Sequence, residues 1–229
     1  MKMVRFIALF IITFFSLANC DKGKESETNW DSVYQEQGLV PVSTERENII
    51  VELRYSTTNN FIGKDVYGNL EQAYLQPEAS EKLISASKLL EFTYPDLKLL
   101  IWDAARPRRI QQVLWDSVDV SPEERPRYVA NPKTGSIHNY GAAIDITLAD
   151  STGKPLDLGT DYDDFTYLAN IDKEDELVEN GELTEQQVTD RRILRMVMVE
   201  SGFIPLKSEW WHFDAFSKEE TKERFTIVE

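Results

Sequence analysis

Apolar and polar positions change their period several times along this chain, and each change marks an element. Residues 6–17 form a continuous apolar run behind Lys2 and Arg5. The run is too short to span a bilayer comfortably and has the layout of a secretory signal. Residues 21–48 are charged and polar, with Trp30, Tyr34 and Leu39 as their few large apolar side chains, and they read as a tether off the membrane surface, ordered near its end. Beyond them, residues 49–55 alternate in part, as a strand does. Residues 78–92 place Leu83, Ala86, Leu89 and Leu90 at helical spacing behind Pro77, a helix start signal. The short apolar run 97–102 predicts a buried strand, and 109–118 a helix with Ile110, Val113 and Leu114 inward. From 142 to 148 the even positions (Ala142, Ile144, Ile146, Leu148) are apolar and the odd ones (Ala143, Asp145, Thr147) small or polar. That alternation predicts a half-buried strand with Asp145 on its polar face. Residues 189–201 predict a helix with Ile193, Leu194, Val197 and Met198 inward, stopped by Gly202.

The intervening stretches read as connections. Residues 59–70 contain Gly63 and Gly68, 121–134 are proline-rich, and Thr152-Gly153 suits a hairpin turn. Residues 171–189 are Glu-rich and predict surface, and the tail after Phe216 is charged with no readable pattern. The order of elements predicts an α+β fold: one domain over 49–229, a small antiparallel sheet with flanking helices and a site at the sheet edge. Residues 1–20 form the leader and 21–48 the tether.

Charge and cysteine content narrow the function. The formal net charge is -15, and loss of Lys2 and Arg5 with the leader would make the chain more acidic still. Nucleic acid is excluded as a partner, because its phosphates require basic patches, and no protein partner is implied. Cys20 is the only cysteine, so there is no internal disulfide and no thiol for catalysis in the rest of the chain. It falls where a bacterial lipoprotein signal is cut and lipidated, although Asn19 is an unusual residue at the position before it. The layout predicts export with a lipid anchor on Cys20 as the chain's membrane attachment, plain secretion being the alternative.

The candidate chemistry gathers around two histidines, His138 and His212, the only ones present. His138 lies in Ser136-Ile137-His138-Asn139-Tyr140-Gly141-Ala142-Ala143-Ile144-Asp145, and His212 ends Glu209-Trp210-Trp211-His212. Two imidazoles and one carboxylate make the protein share of a catalytic zinc site. Glu209 is placed to handle the proton of a water there. A straight strand would aim His138 and Asp145 at opposite faces, and Gly141 offers the bend that brings them together. Glu209 and His212 are three apart, which predicts a helical turn or tight bend in place of a flat strand. Arg106, at the end of the strand over 97–102 and fixed by Pro107, carries a permanent charge suited to an oxyanion.

These motifs resemble the zinc D-alanyl-D-alanine peptidases, and within them the D-alanyl-D-alanine dipeptidase branch associated with vancomycin resistance. The likeness runs from about Val51 to about Asp214. It includes Arg54-Tyr55, Asn59-Asn60-Phe61-Ile62-Gly63-Lys64, Trp102-Asp103-Ala104-Ala105-Arg106-Pro107, Leu158-Gly159-Thr160-Asp161-Tyr162-Asp163 and Arg191-Arg192-Ile193-Leu194. The resemblance implies one Zn²⁺ held by His138, Asp145 and His212, with Glu209 as general base and Arg106 as oxyanion stabiliser. It places Ser136, Tyr55 and Asp163 on a small zwitterionic dipeptide, Asp163 at its amino end. From the residues alone, Tyr55 is equally a strand end, Ser136 a loop-bonding hydroxyl, and Asp163 part of a solvated acidic run. Ala105 stands where close relatives usually carry an aromatic, which bears on pocket shape. A D,D-carboxypeptidase trimming cell-wall stem peptides, or an L,D-peptidase, would use the same metal set.

Overall fold

The computed structural model describes residues 28–42 and 48–229; the leader and Cys20 lie outside the described residues. In chain order the elements are α1 (Trp30–Glu36), β1 (Val40–Pro41), β2 (Ile49–Val51), β3 (Tyr74–Leu75), α2 (Pro77–Thr93), β4 (Leu97–Asp103), α3 (Arg108–Ser117), β5 (Ala143–Asp150), α4 (Glu174–Glu179), α5 (Glu185–Glu200), β6 (Ile204–Leu206), β7 (Glu209–Asp214) and α6 (Lys218–Arg224). Five strands form one sheet in the order β2-β4-β5-β7-β6, with β2 and β4 parallel and the other neighbours antiparallel. β1 and β3 form a separate antiparallel pair. This is the α+β domain the pattern predicts, with one parallel pair added.

Helix α2 starts with Pro77 in its first turn and buries Ala79, Leu83, Ala86 and Leu90, a stripe at helical spacing. It packs against β4 and α5. A capping box between Thr184 and Gln187 starts α5, and Gly202, at a φ of 90°, follows its end. Leu194, Val197 and Met198 are buried as expected, whereas Ile193 is only partly covered. Val113 departs from expectation: it is 41% exposed, and Gln111 takes the buried place on α3 beside Ile110 and Leu114. Gln111 is buried because its amide is used, as described below.

Strand β5 is not half-buried. Every residue from Ala143 to Ala149 is buried, including Asp145 and Thr147. Its alternation therefore sorts an apolar side from a side carrying functional groups, both within the molecule. The Glu-rich segment is also less superficial than its composition predicts. Glu174 is buried and paired with Arg195 at 2.7 and 2.9 Å, and Leu177, Leu183 and Val188 make a small cluster of their own.

Both ends of the described chain are built into the body. Residues 30–42, expected as the end of a tether, bury Trp30, Tyr34, Leu39 and Val42. Tyr34 stacks on Tyr74 at 4.5 Å and donates its hydroxyl to the Ala105 carbonyl, and Arg109 lies over the Trp30 ring at 4.6 Å. The folded part thus begins before residue 49, because the few apolar residues in this polar stretch all find one surface. At the other end Val228 is fully buried; its N–H donates to the Asn139 carbonyl and its carbonyl accepts the Arg108 N–H.

Candidate metal centre and catalytic pocket

His138 stands on a 3₁₀ turn, Ile137–Tyr140, built by its own sequence. The Ser136 hydroxyl caps the turn, and the Asn139 side chain accepts the Ser136 N–H at 2.7 Å. Gly141 ends it at a φ of 65°, where a Cβ would meet Leu39 at 2.4 Å, so the position requires glycine. The bend expected at Gly141 is there, and it turns the chain straight into β5. Asp145 on β5 pairs in register with His212 on β7 and with Asp103 on β4. The β4 register shifts between Ile101 and Asp103, which brings Asp103 opposite Asp145.

Glu209 and His212 come together by a different route from the helical turn their spacing predicts. Both lie on strand β7, where the pairing jumps from Pro205↔Phe213 to Leu206↔Glu209. The extra residues on the β7 side break the two-residue alternation and re-aim the side chains. The Glu209 carboxylate lies 3.9 Å from His212 Nδ1 as a result.

The donor atoms of His138, Asp145 and His212 converge. His138 Nε2 is 3.1 Å from His212 Nδ1 and 3.3 Å from Asp145 Oδ1, and His212 Nδ1 is 3.0 Å from Asp145 Oδ1. The far nitrogens settle the tautomers. His138 Nδ1 donates to the Ala104 carbonyl at 2.7 Å, and His212 Nε2 donates to Asp214 at 2.9 Å. Both acceptors lack a proton to give, so the inward nitrogens of neutral rings present lone pairs to one another and to a carboxylate. Three lone pairs facing at this distance repel unless a cation lies among them, and outer partners of this kind orient metal-binding imidazoles. The field agrees. Burial opposes charge on Asp145, yet the two imidazoles hold its carboxyl well below the usual range. Burial likewise opposes an imidazolium at His212, yet Asp145 and Asp214 raise its pKa well above the usual value. The three donor atoms lie close enough together to hold a metal ion, and a set of two nitrogens and one oxygen fits zinc.

The second Asp145 oxygen accepts the Tyr162 hydroxyl at 2.7 Å, and Arg106 Nη2 is 3.6 Å away from it. Arg106 itself is buried and held through each of its three nitrogens. Its Nε and Nη2 donate to Asp103 Oδ2 at 2.8 and 2.5 Å, and its Nη1 to Gln111 Oε1 at 3.0 Å. The Tyr67 hydroxyl donates to the other Asp103 oxygen at 2.7 Å. The Arg106 peptide is tied to the metal turn as well, since its N–H donates to the His138 carbonyl and its carbonyl accepts the Asn139 amide.

These groups open on a cavity of about 300 Å³. Tyr55, Arg106, Ser136, His138, Asp145, Asp163, Glu209 and His212 all line it, so the structure gathers every site residue predicted from the described part of the sequence. Ser136 does cap the turn, as its bland reading holds, and it also faces the cavity. Tyr55 lies on a 3₁₀ turn after β2 and donates its hydroxyl to Asp163 at 3.0 and 3.2 Å. Asp163 has a φ of 60°, the one positive value outside glycine among the described residues, and such strain gathers at functional positions. Enclosure, and then the charge of Asp145, raise its pKa well above the usual aspartate value. Burial also raises the pKa of Glu209, with His212 pulling the other way, which suits a base that must hold and release a proton.

Asp103, Gln111, Tyr162 and Asp214 were not picked out from sequence. Each acts on a predicted residue, and three of the four stand within five positions of the residue they hold or precede it on the same strand end. Asp103 in the run Asp103-Ala104-Ala105-Arg106 and Asp214 two after His212 were therefore findable by proximity. Tyr162, 17 residues from Asp145, was not.

Comparison with known proteins identifies a family. A sequence profile of the family described as D-Ala-D-Ala dipeptidase matches residues 35–228. The chain is 30% identical to the D-alanyl-D-alanine dipeptidase of Escherichia coli (strain K12), over 77% of this chain and 83% of that one. It is 28% identical to the D-alanyl-D-alanine dipeptidase of Enterococcus faecium, over 71% and 83% of the two chains. For the Synechocystis sp. D-alanyl-D-alanine dipeptidase the identity is 27%, over 66% and 72%. A solved LD-carboxypeptidase, LdcB, gives a TM-score of 0.40 at 20% identity over 66% of this chain and 63% of that one. The match spans most of the folded body, from within α1 to the buried Val228, and on that basis the chain belongs to the D-Ala-D-Ala dipeptidase family of peptidases.

Proposed function

We propose that this protein is a zinc metallopeptidase that hydrolyses free D-alanyl-D-alanine and related D,D-dipeptides. The observation that carries the reading is the convergence of three lone pairs beside Glu209 in a cavity that the Asp163 carboxyl group also lines. His138, Asp145 and His212 would hold the ion. When bound, zinc supplies a Lewis acid for the scissile carbonyl and lowers the pKa of a water to about 7.

The chain's own groups do the rest. Glu209 takes one proton from the attacking water as the new C–O bond forms, and returns it to the amine nitrogen as the peptide C–N bond breaks. Arg106, fixed by Asp103 and Gln111, meets the negative charge that develops on the carbonyl oxygen. It is in place before reaction and needs no reorganisation. Asp163 accepts the substrate ammonium, and Ser136 receives the carboxylate end. A buried ammonium is costly without a paired carboxylate, so an Asp163 in the cavity favours a free dipeptide over an acylated chain.

The test is hydrolysis of D,D-, L,D- and L,L-dipeptides and of N-acetyl-D-Ala-D-Ala, with and without chelator, beside Glu209→Ala. Chelator-sensitive cleavage confined to free D,D-dipeptides supports the reading. Preference for the acylated substrate would make it a D,D-carboxypeptidase, and cleavage of L,D bonds an L,D-peptidase.

The proposal extends to location: an exported enzyme anchored through a lipid on Cys20, working in salvage or remodelling in the cell envelope. An exported enzyme cannot drain a cytoplasmic D-Ala-D-Ala pool. Loss of membrane association in Cys20→Ala is expected, and vancomycin tolerance conferred by the exported form would contradict the salvage role.

A further inference from the structure

Four aromatic rings from separate segments form an unbroken edge-to-face chain along one side of the catalytic cavity. Tyr55 meets Phe61 at 6.5 Å and 85°, Phe61 meets Phe165 at 5.4 Å and 77°, and Phe165 meets Tyr128 at 5.4 Å and 87°. All four line the cavity. The chain starts at the amino-end group, because Tyr55 donates its hydroxyl to Asp163.

The supports beneath these rings are rigid. Asn60, next to Phe61, donates to the carbonyls of Arg54, Thr57 and Lys64 and accepts the N–H groups of Ile62 and Gly63. One side chain thereby ties its own loop together from both sides. Arg191, fully buried, donates to the carbonyls of Leu158 and Leu168 and so clips both ends of the segment carrying Asp163 and Phe165. The Phe61 ring is a wall.

Beyond that wall lies a second cavity of about 780 Å³, larger than the catalytic one of about 300 Å³. Phe61 and Asp163 line both. The far side is polar, with Thr58, Asn59, Asp157 and Asp161 among its walls. Phe61 and Asp163 thus stand at the boundary of the two cavities, and Phe61 is the bulky apolar side chain of that pair.

We propose that Phe61, braced by Phe165 and Tyr128, is the specificity-determining partition that restricts the substrate to two residues, and that the polar cavity behind it accepts the preceding residue of a longer peptide once the ring is removed. This rests on the dipeptidase reading above and assigns its size limit to a named side chain. Asp163 discriminates by charge; Phe61 discriminates by shape.

The experiment compares wild type, Phe61→Ala, Phe61→Tyr and Phe165→Ala on D-Ala-D-Ala and on the tripeptide L-Lys-D-Ala-D-Ala, reading kcat/KM for release of the terminal D-Ala. The tripeptide-to-dipeptide ratio should rise about tenfold or more in Phe61→Ala, as expected when a pocket wall of this size is lost. It should rise less in Phe165→Ala and stay at the wild-type value in Phe61→Tyr, which keeps the ring. An unmoved ratio in both alanine variants, each with a cooperative thermal transition, overturns the proposal. If Phe61→Ala does not fold, Phe165→Ala decides, because its ring is 38% exposed and its loss leaves the core intact. A wild-type enzyme that cleaves the tripeptide as well as the dipeptide also overturns it. A wild-type enzyme that cleaves neither sinks the dipeptidase reading instead.

Discussion

At one end of the catalytic cavity the ligand atoms stand on inner strands and a capped turn; at the other, Asp163 stands on a loop with left-handed backbone. The metal end is over-determined. Each imidazole has its outer nitrogen bound, Asp145 has its outer oxygen bound, and Arg106 is held at three of its nitrogens. The substrate end relies on one tyrosine hydroxyl and on the clip made by Arg191. Sheet and turn fix the three convergent donor atoms, while Asp163, the proposed substrate-reading group, is carried by a loop that is separate from them in sequence. Damage to the metal end should therefore fall on kcat, and damage to the other end on KM.

The largest effect expected is at Glu209. Glu209→Ala removes the proton carrier and should lower kcat by about 10²–10⁴-fold with little change in KM. Chelation should abolish activity outright and lower the thermal transition, since an ion bound only by the folded chain stabilises it. Steady-state kinetics beside a melting curve check both. A Glu209→Ala enzyme with unchanged kcat would dissolve the contrast between the two ends.

Arg106 comes next. Loss of a pre-placed oxyanion partner removes about 3–4 kcal/mol from the transition state, or roughly 10²–10³-fold in kcat. Arg106→Lys should recover little, because the Asp103 and Gln111 contacts use the guanidinium fork, which lysine lacks. Recovery of more than about half the activity by lysine would show that charge alone matters there.

Asp163 sharpens the comparison from the other side. Asp163→Asn should raise KM for D-Ala-D-Ala by about 10–100-fold, with a smaller fall in kcat, since it leaves a buried ammonium unpaired. Its pKa is raised in the folded chain, so KM of the wild type should climb as pH falls through that raised value, and KM of the variant should not. The sign for stability is opposite. A carboxyl whose folded pKa is raised destabilises the fold above its ordinary pKa of about 3.9. Asp163→Asn should thus melt higher than wild type at neutral pH, with the gain fading in acid. Asparagine also tolerates the positive φ. A lower melting point would mean that Asp163 serves the fold.

The same contrast explains what was legible in the sequence. His138, His212 and Asp145 were readable because histidine is so scarce here and because Gly141 supplies a bend with a physical purpose. Glu209 was readable by identity, but its geometry was not, because a β-bulge depends on the partner strand and leaves no local spacing signal. The strand register that sets Asp103 opposite Asp145 is hidden for the same reason. Composition shows only part of what residues 30–42 do: the stretch is polar, and order near its end is expected, but Trp30 and Tyr34, one helical turn apart, bury together in the domain. The Tyr162 contact joins two segments with nothing in either to announce the other.

That contact carries the smallest and most discriminating prediction. Tyr162 donates to Asp145 Oδ2, while Oδ1 faces the two imidazoles. The hydroxyl therefore keeps one carboxylate oxygen out of the ligand set and fixes the plane of the other. Its ring is wedged against Trp102, Trp211 and Tyr55, so Tyr162→Phe should fold as wild type and lose only the hydrogen bond. Loss of an outer partner of a metal ligand weakens metal affinity by about 10–100-fold, and the low end is expected here because Arg106 Nη2 lies 3.6 Å from the same oxygen and can take it over. Zinc affinity measured by chelator competition should drop about tenfold, and activity at saturating zinc should stay close to wild type. If affinity holds and KM rises instead, Tyr162 belongs functionally with Asp163, its neighbour in sequence, and the division between the metal end and the substrate end would have to be drawn elsewhere.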